Sequence, residues 1–203
     1  MKIICVGRNY SEHATELNNP VPTSPVIFMK PDTALLKDNK PFYLPSFSQN
    51  LQYELELVLK IGKEGKKIAE KFAASYISEI GIGIDFTARD LQNELKEKGL
   101  PWELAKGFDN SAPISNFFPV SEFENLSNIS FSLQKNGNKV QIGNTSNCIF
   151  SFDYLISYIS GFITLKKGDL IFTGTPAGVG KVEIGDKLEG YLENKLQLSV
   201  EVK

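Results

Sequence analysis

Two glutamates stand two residues apart in the run YELELVLKIG, residues 53–62. Tyr53, Leu55, Leu57 and Leu59 alternate with Glu54, Glu56, Val58 and Lys60. A period of two predicts a half-buried strand with both carboxylates on one face. Two carboxylates that close repel each other. Either the face is solvated, or a hard cation sits between them, because oxygen ligands suit Mg2+, Mn2+ or Ca2+. A third oxygen is then expected from a neighbouring strand. Asp85 ends the apolar run IGIGIDF, where an unpaired buried carboxylate would be costly. Its alternative use is to cap the helix that follows.

His13 is the chain's single histidine, which excludes zinc sites built on several histidines. On a helix, His13 and Glu16 share a face at i,i+3, so the carboxylate can orient the imidazole as a water-activating base. The plain alternative is a surface pair. Arg89 and Gln92 are also at i,i+3, a guanidinium fork with an amide donor beside it that suits a carboxylate. Lys106 lies in WELAKGFDNSAP, between apolar and turn residues. The loop GTPAGVG does not match a phosphate-binding P-loop. Its glycines are spaced one residue too far apart, and Val182 follows Lys181 where Ser or Thr is required. Thr175 remains a hydroxyl donor for a small anion.

These residues need elements to carry them. A short strand is expected at Ile3 to Val6, then a brief helix over SEHATELNN with Ser11 as N-cap. PVIFMKP and residues 53–61 read as strands, and AEKFAASYISEIGIGIDF begins helix-like and ends as a strand over 80–86. TARDLQNELKEKG is the clearest helix: Thr87 can cap it, Asp90 suits its first turn, Glu94 and Lys98 pair, and Gly99 ends it. Asn136-Gly137 signals a hairpin, FDYLISYISGFITL a helix and GDLIFTGTP a buried strand. Many short strands with few helices argue for a β-rich α+β fold, and no linker or repeat divides residues 1–203 into more than one domain.

The bulk composition narrows the setting. At 203 residues, 41% of them hydrophobic and 23% charged, the chain can bury a substantial core. A net charge of −2 offers no basic field for nucleic acid. Cys5 and Cys148 have no metal-site or disulfide spacing, and no apolar run is long enough for a signal peptide or a membrane span. A cytoplasmic protein with no membrane partner is the expectation.

Taken in order, GRNYSEHATE, PVIFMKP, YELELVLKIG, GIDFTARDLQ, GLPWELAKGFDNSAP and GDLIFTGTPAGVG resemble the fumarylacetoacetate hydrolase family. The resemblance runs from Gly7 to the C-terminus and is nearest to the small, single-domain acylpyruvate hydrolase branch. It implies a mixed β-roll, a homodimer, and Mg2+ or Mn2+ held by Glu54, Glu56 and Asp85. It further implies that His13 and Glu16 sit on a lid helix, and that Arg89, Gln92, Lys106 and Thr175 bind the keto-acid end of the substrate. The implied reaction is hydrolysis of the C–C bond of an acylpyruvate, with His13 and Glu16 activating water and Lys106 and the metal stabilising the departing pyruvate enolate. Oxaloacetate decarboxylation or tautomerisation, and isomerisation of 2-hydroxyhepta-2,4-diene-1,7-dioate, could use the same site. A non-catalytic protein that binds keto acids or metal is the alternative of another class. The acyl pocket is expected to be shaped by the lid and by residues 18–24 and 107–117.

Overall fold

In the computed structural model, which describes residues 1–16 and 20–203, the site is carried by a six-stranded mixed sheet. Its order is Val26–Lys30, Ile3–Gly7, Leu170–Phe172, Leu55–Ile61, Ile77–Ile84, Phe118–Pro119. Ile3–Gly7 and Leu170–Phe172 run parallel; the other neighbours are antiparallel. A second, antiparallel sheet of four strands is ordered Asn138–Asn144, Ser130–Lys135, Lys187–Leu192, Lys195–Glu201. The helices are short, the longest being Phe152–Phe162, which Ser151 caps by accepting a hydrogen bond from the Tyr154 amide. This sheet-rich architecture is the mixed α+β fold that the sequence leads one to expect.

Strand alternation sorts the large sheet into two cores. Leu55, Leu57 and Leu59 join Ile4, Val6, Ile80, Ile82 and Ile171 on one face, packed on Leu133, Leu188 and Leu198 of the second sheet and on Leu155 and Ile159 of the long helix. Val58 joins Ile3, Cys5, Phe28, Leu170 and Phe172 in a smaller cluster on the opposite face. Glu54 and Glu56 share the parity of Val58. The expected half-buried strand is therefore buried on both faces, because it lies in the middle of a covered sheet.

Several boundaries differ from expectation. Leu51–Tyr53 and Leu55–Ile61 are separate strands in different sheets, and Glu54 sits at the break between them. The strand expected over 80–86 is Ile77–Ile84, since its pairing with Leu55–Ile61 begins at Ile77 and ends at Ile84. Thr87 does not cap the following helix. It pairs with Gln52 in a two-residue strand, and the helix Arg89–Glu97 has no side-chain N-cap. Asp90 is in the first turn as expected, accepting hydrogen bonds from Ser48 Oγ and the Gln49 and Leu91 amides. Glu94 pairs with Lys98, and Gly99, at φ +64°, follows the helix end. Asn136 and Gly137 both have positive φ and join the expected hairpin. The first helix is Ser11–Glu16; Leu17, Asn18 and Asn19, the end of its expected span, lie outside the described residues. Among the described residues no helix is long and apolar enough to cross a membrane.

Candidate active site

Register brings the carboxylates together. Leu55 pairs with Ile84, so Glu54 and Asp85 leave their strands side by side, and the Asp85 amide donates to the Glu54 carbonyl at 2.8 Å. Glu56 enters from the next position of the same parity. One oxygen from each of Glu54, Glu56 and Asp85 lies within 4.8 Å of the others, and all three residues are buried. Asp85 does not cap a helix.

Three buried cations surround this cluster. Lys106 Nζ lies 2.8 Å from Glu54 Oε2 and 2.8 Å from Asp85 Oδ2. Arg89 pairs with Glu54 through Nη2, while its Nε donates to Gln52 Oε1 at 2.8 Å and its Nη1 to Gln92 Oε1 at 2.6 Å. Lys30 Nζ lies 2.7 Å from Asp85 Oδ1. Its protons are directed at the carbonyls of Phe86, Lys106 and Ser111 and at Ser111 Oγ, so Asp85 Oδ1 gains a nearby charge but no well-aligned donor. The repulsion that spacing predicted is thus relieved in large part by the chain's own ammonium and guanidinium groups.

Electrostatics divides the two glutamates. Burial raises the Glu54 pKa, but Lys106 and Arg89 outweigh it and hold the carboxyl well below its usual range. Glu56 has no cationic partner among the described residues. Burial, then Asp85 and Glu54, push its pKa well up, and the Gly174 amide donating at 2.6 Å only partly offsets them. Burial lowers Lys106, yet Asp85 and Glu54 bring it above its ordinary value. Asp85 Oδ1, which has no hydrogen-bond donor, and the Glu56 carboxyl, which has no cationic partner among the described residues, fit a divalent cation held by oxygen ligands.

His13 is buried beside this cluster, with Nδ1 3.1 Å from Glu16 Oε2. Glu16 Oε1 in turn accepts the Gly178 amide at 2.9 Å, tying the first helix to the GTPAGVG loop. A Cβ at Gly178 would stand 2.1 Å from the Val140 carbonyl oxygen, so only glycine brings that amide so close. The loop therefore serves protein carboxylates: Gly174 serves Glu56 and Gly178 serves Glu16. Thr175 borders the same cleft, and its hydroxyl accepts from Gln141 Nε2 at 2.8 Å.

All the residues singled out by sequence except Glu16 line one cleft, to which His13 ties Glu16. It is also lined by Arg8, Phe28, Lys96 and Trp102, which sequence reasoning passed over although all four stand inside segments quoted above. Residues 20–24 and 107–117, expected to shape the acyl pocket, do not line this cleft; Phe28 from the middle of the strand Val26–Lys30, Lys96 from the last turn of the helix Arg89–Glu97 and Trp102 from just before the helix Glu103–Lys106 do. Residues 18 and 19 lie outside the described residues. A roomier cavity, about 530 Å³, lies elsewhere beside Lys60, Glu79 and Phe117 and lacks a carboxylate cluster.

A family model described as fumarylacetoacetate (FAA) hydrolase, C-terminal, matches residues 2–203. The chain belongs to the fumarylacetoacetate hydrolase family. Within this family of enzymes it is 42% identical over 201 residues to human oxaloacetate tautomerase FAHD1, mitochondrial, covering 99% of this chain and 91% of that protein. It superposes with TM-score 0.95 on a fumarylpyruvate hydrolase from Pseudomonas aeruginosa solved in complex with Mn2+ and pyruvate, at 39% identity, covering 100% of this chain and 89% of that one. A 2-hydroxyhepta-2,4-diene-1,7-dioate isomerase from Mycobacterium marinum superposes at TM-score 0.86 and 34% identity, covering 99% of this chain and 73% of that one. The fumarylacetoacetate hydrolase fold thus carries hydrolases and isomerases named for 2-oxo or enol acids.

Proposed function

We propose that this chain is a divalent-metal-dependent enzyme acting on the enol and keto forms of a 2-oxo acid, with oxaloacetate tautomerisation as its reaction. The supporting observation is the buried Glu54, Glu56 and Asp85 cluster meeting Lys106, Arg89 and the His13–Glu16 pair in one cleft. Held by the three carboxylates, Mg2+ or Mn2+ would supply Lewis acidity toward the 2-oxo oxygen. Arg89 and Gln92 grip the adjacent carboxylate. His13 takes a proton from C3, with Glu16 holding its ring and favouring the imidazolium. Lys106 supplies a proton at the 2-oxo oxygen, so the enol forms with one proton lost and one gained; reversal regenerates the ketone. Burial of His13 and Lys106 keeps bulk water from competing for these protons.

Acylpyruvate hydrolysis, the reaction favoured from sequence, is the second reading. It rests on the same dyad, which can instead activate water, and on the likeness to a fumarylpyruvate hydrolase. One experiment separates them. Protein loaded with Mg2+ or Mn2+ is given the enol of oxaloacetate, and loss of enol absorbance is followed; in parallel, pyruvate release from acetylpyruvate is measured. Fast enol loss without pyruvate release supports the tautomerase, and the converse supports the hydrolase. The unpaired thiols Cys5 and Cys148 agree with a reducing compartment such as the cytoplasm.

A further inference from the structure

The cleft holds more positive charge than its metal cluster uses. Four cationic side chains, Arg8, Arg89, Lys96 and Lys106, line it together with the three carboxylates. Arg89 and Lys106 are engaged with Glu54 and Asp85. Arg8 and Lys96 form no ion pair among the described residues. A divalent cation would add to the excess, so a monoanionic substrate would leave the site strongly positive.

Both side chains are held in place. Arg8 has φ +64°, a left-handed conformation that costs energy in a residue other than glycine. The next residue, Asn9, is fully buried and fixes it: its amide nitrogen donates to the carbonyls of Phe150 and Thr173, and its oxygen accepts the Phe150 amide at 2.7 Å. Arg8 thus leaves the end of Ile3–Gly7 at an angle that puts it on the cleft wall. Lys96 stands two turns along its helix from Arg89, with Nζ 5.3 Å from the centroid of the Trp102 ring, which itself packs on Phe28. Half-burial, with Arg89 and Arg8 nearby, draws the Lys96 ammonium down to about 8 against the opposing pull of Glu54. That is the behaviour of a cation lacking its counter-charge.

We propose that Arg8 and Lys96 form a second anion subsite, which receives the distal carboxylate of a 2-oxo dicarboxylate while the first carboxylate lies at Arg89 and Gln92. The inference rests on the 2-oxo-acid reading of the site and sharpens it: the cleft selects substrates with two carboxylates over acylpyruvates with a neutral acyl end. Trp102 sets the direction of Lys96, and the strained turn sets that of Arg8.

The test uses two probes of equal chain length that carry no scissile bond for this site, 2-oxoglutarate and 2-oxopentanoate, titrated calorimetrically into Mg2+-loaded protein. Wild-type protein is expected to prefer 2-oxoglutarate by about tenfold or more, the worth of one charge-assisted contact. Lys96→Met, and Arg8→Asn with a residue that tolerates positive φ, should each erase most of that preference while leaving 2-oxopentanoate within about twofold. Equal binding of both probes by wild-type protein overturns the subsite, as does equal weakening of both by the variants. Failure of the reaction assignment reads differently: a retained 2-oxoglutarate preference without turnover of oxaloacetate or acetylpyruvate upholds the subsite and removes the tautomerase.

Discussion

Glu54 and Glu56 share a sheet face, yet they differ in what balances their charge. Glu54 has Lys106 and Arg89 paired against it, whereas Glu56 forms no ion pair among the described residues and is held by the Gly174 amide with Lys106 acting at longer range. A proton and a metal ion therefore compete for the Glu56 carboxyl, whose pKa is raised by burial and by Asp85 and Glu54. Mn2+ affinity should climb as pH rises through that raised value, and Glu56→Gln should bind more weakly with a flatter pH dependence; Mn2+ titrations across pH check both. His13 is the base in the proposed chemistry. His13→Ala should lower kcat for oxaloacetate tautomerisation by about 10²–10⁴-fold while Mn2+ affinity stays near wild type. Equal activity of the variant would remove His13 from the proton path.

At the scale of elements, the site depends on a strand that sequence did not connect to it. Val26–Lys30 ends on Lys30, whose ammonium is buried among Asp85, Ser111 and the carbonyls of Phe86 and Lys106. It joins the strand ends and the helix Glu103–Lys106 into one rigid wall behind the carboxylates. Lys30→Met deletes the charge and strands buried acceptors, and should cost about 3 kcal/mol of stability in urea unfolding. The GTPAGVG loop is the other support. Gly178→Ala should push the loop off Val140 and break the amide contact to Glu16, lowering kcat more than Mn2+ affinity.

For the whole molecule, the carboxylates tie stability to pH and metal in opposite windows. Glu54, with its pKa lowered, adds stability that is present above the ordinary glutamate range and lost as pH falls through its folded value. Glu56, with its pKa raised, adds stability that is full below that range and lost as pH climbs through its folded value. A bound cation removes the second loss. The gap in melting temperature between Mg2+-loaded and metal-free protein should therefore widen as pH is raised from the acidic side of Glu56's titration to the alkaline side. A gap independent of pH in scanning calorimetry would contradict this assignment of charge.

Periodicity and turn chemistry are local, and what they govern was legible in the chain: the leucine alternation of 55–59, the Asn136-Gly137 hairpin, the helix ended near Gly99, and the i,i+3 pairing of His13 with Glu16. The order of the motif blocks also pointed to the family and to the carboxylate cluster. Long-range partners carry no such mark. Lys30 reaches the Phe86 carbonyl across 56 positions, and Gln141 reaches the Leu55 amide across 86. Burial of both faces of Leu55–Ile61, the cations standing where a metal alone was expected, and the absence of ion pairs at Arg8 and Lys96 among the described residues were likewise set by which strand ends the sheet order stacks together. Burial and electrostatic pairing depend on distances in space, and only the folded chain has those.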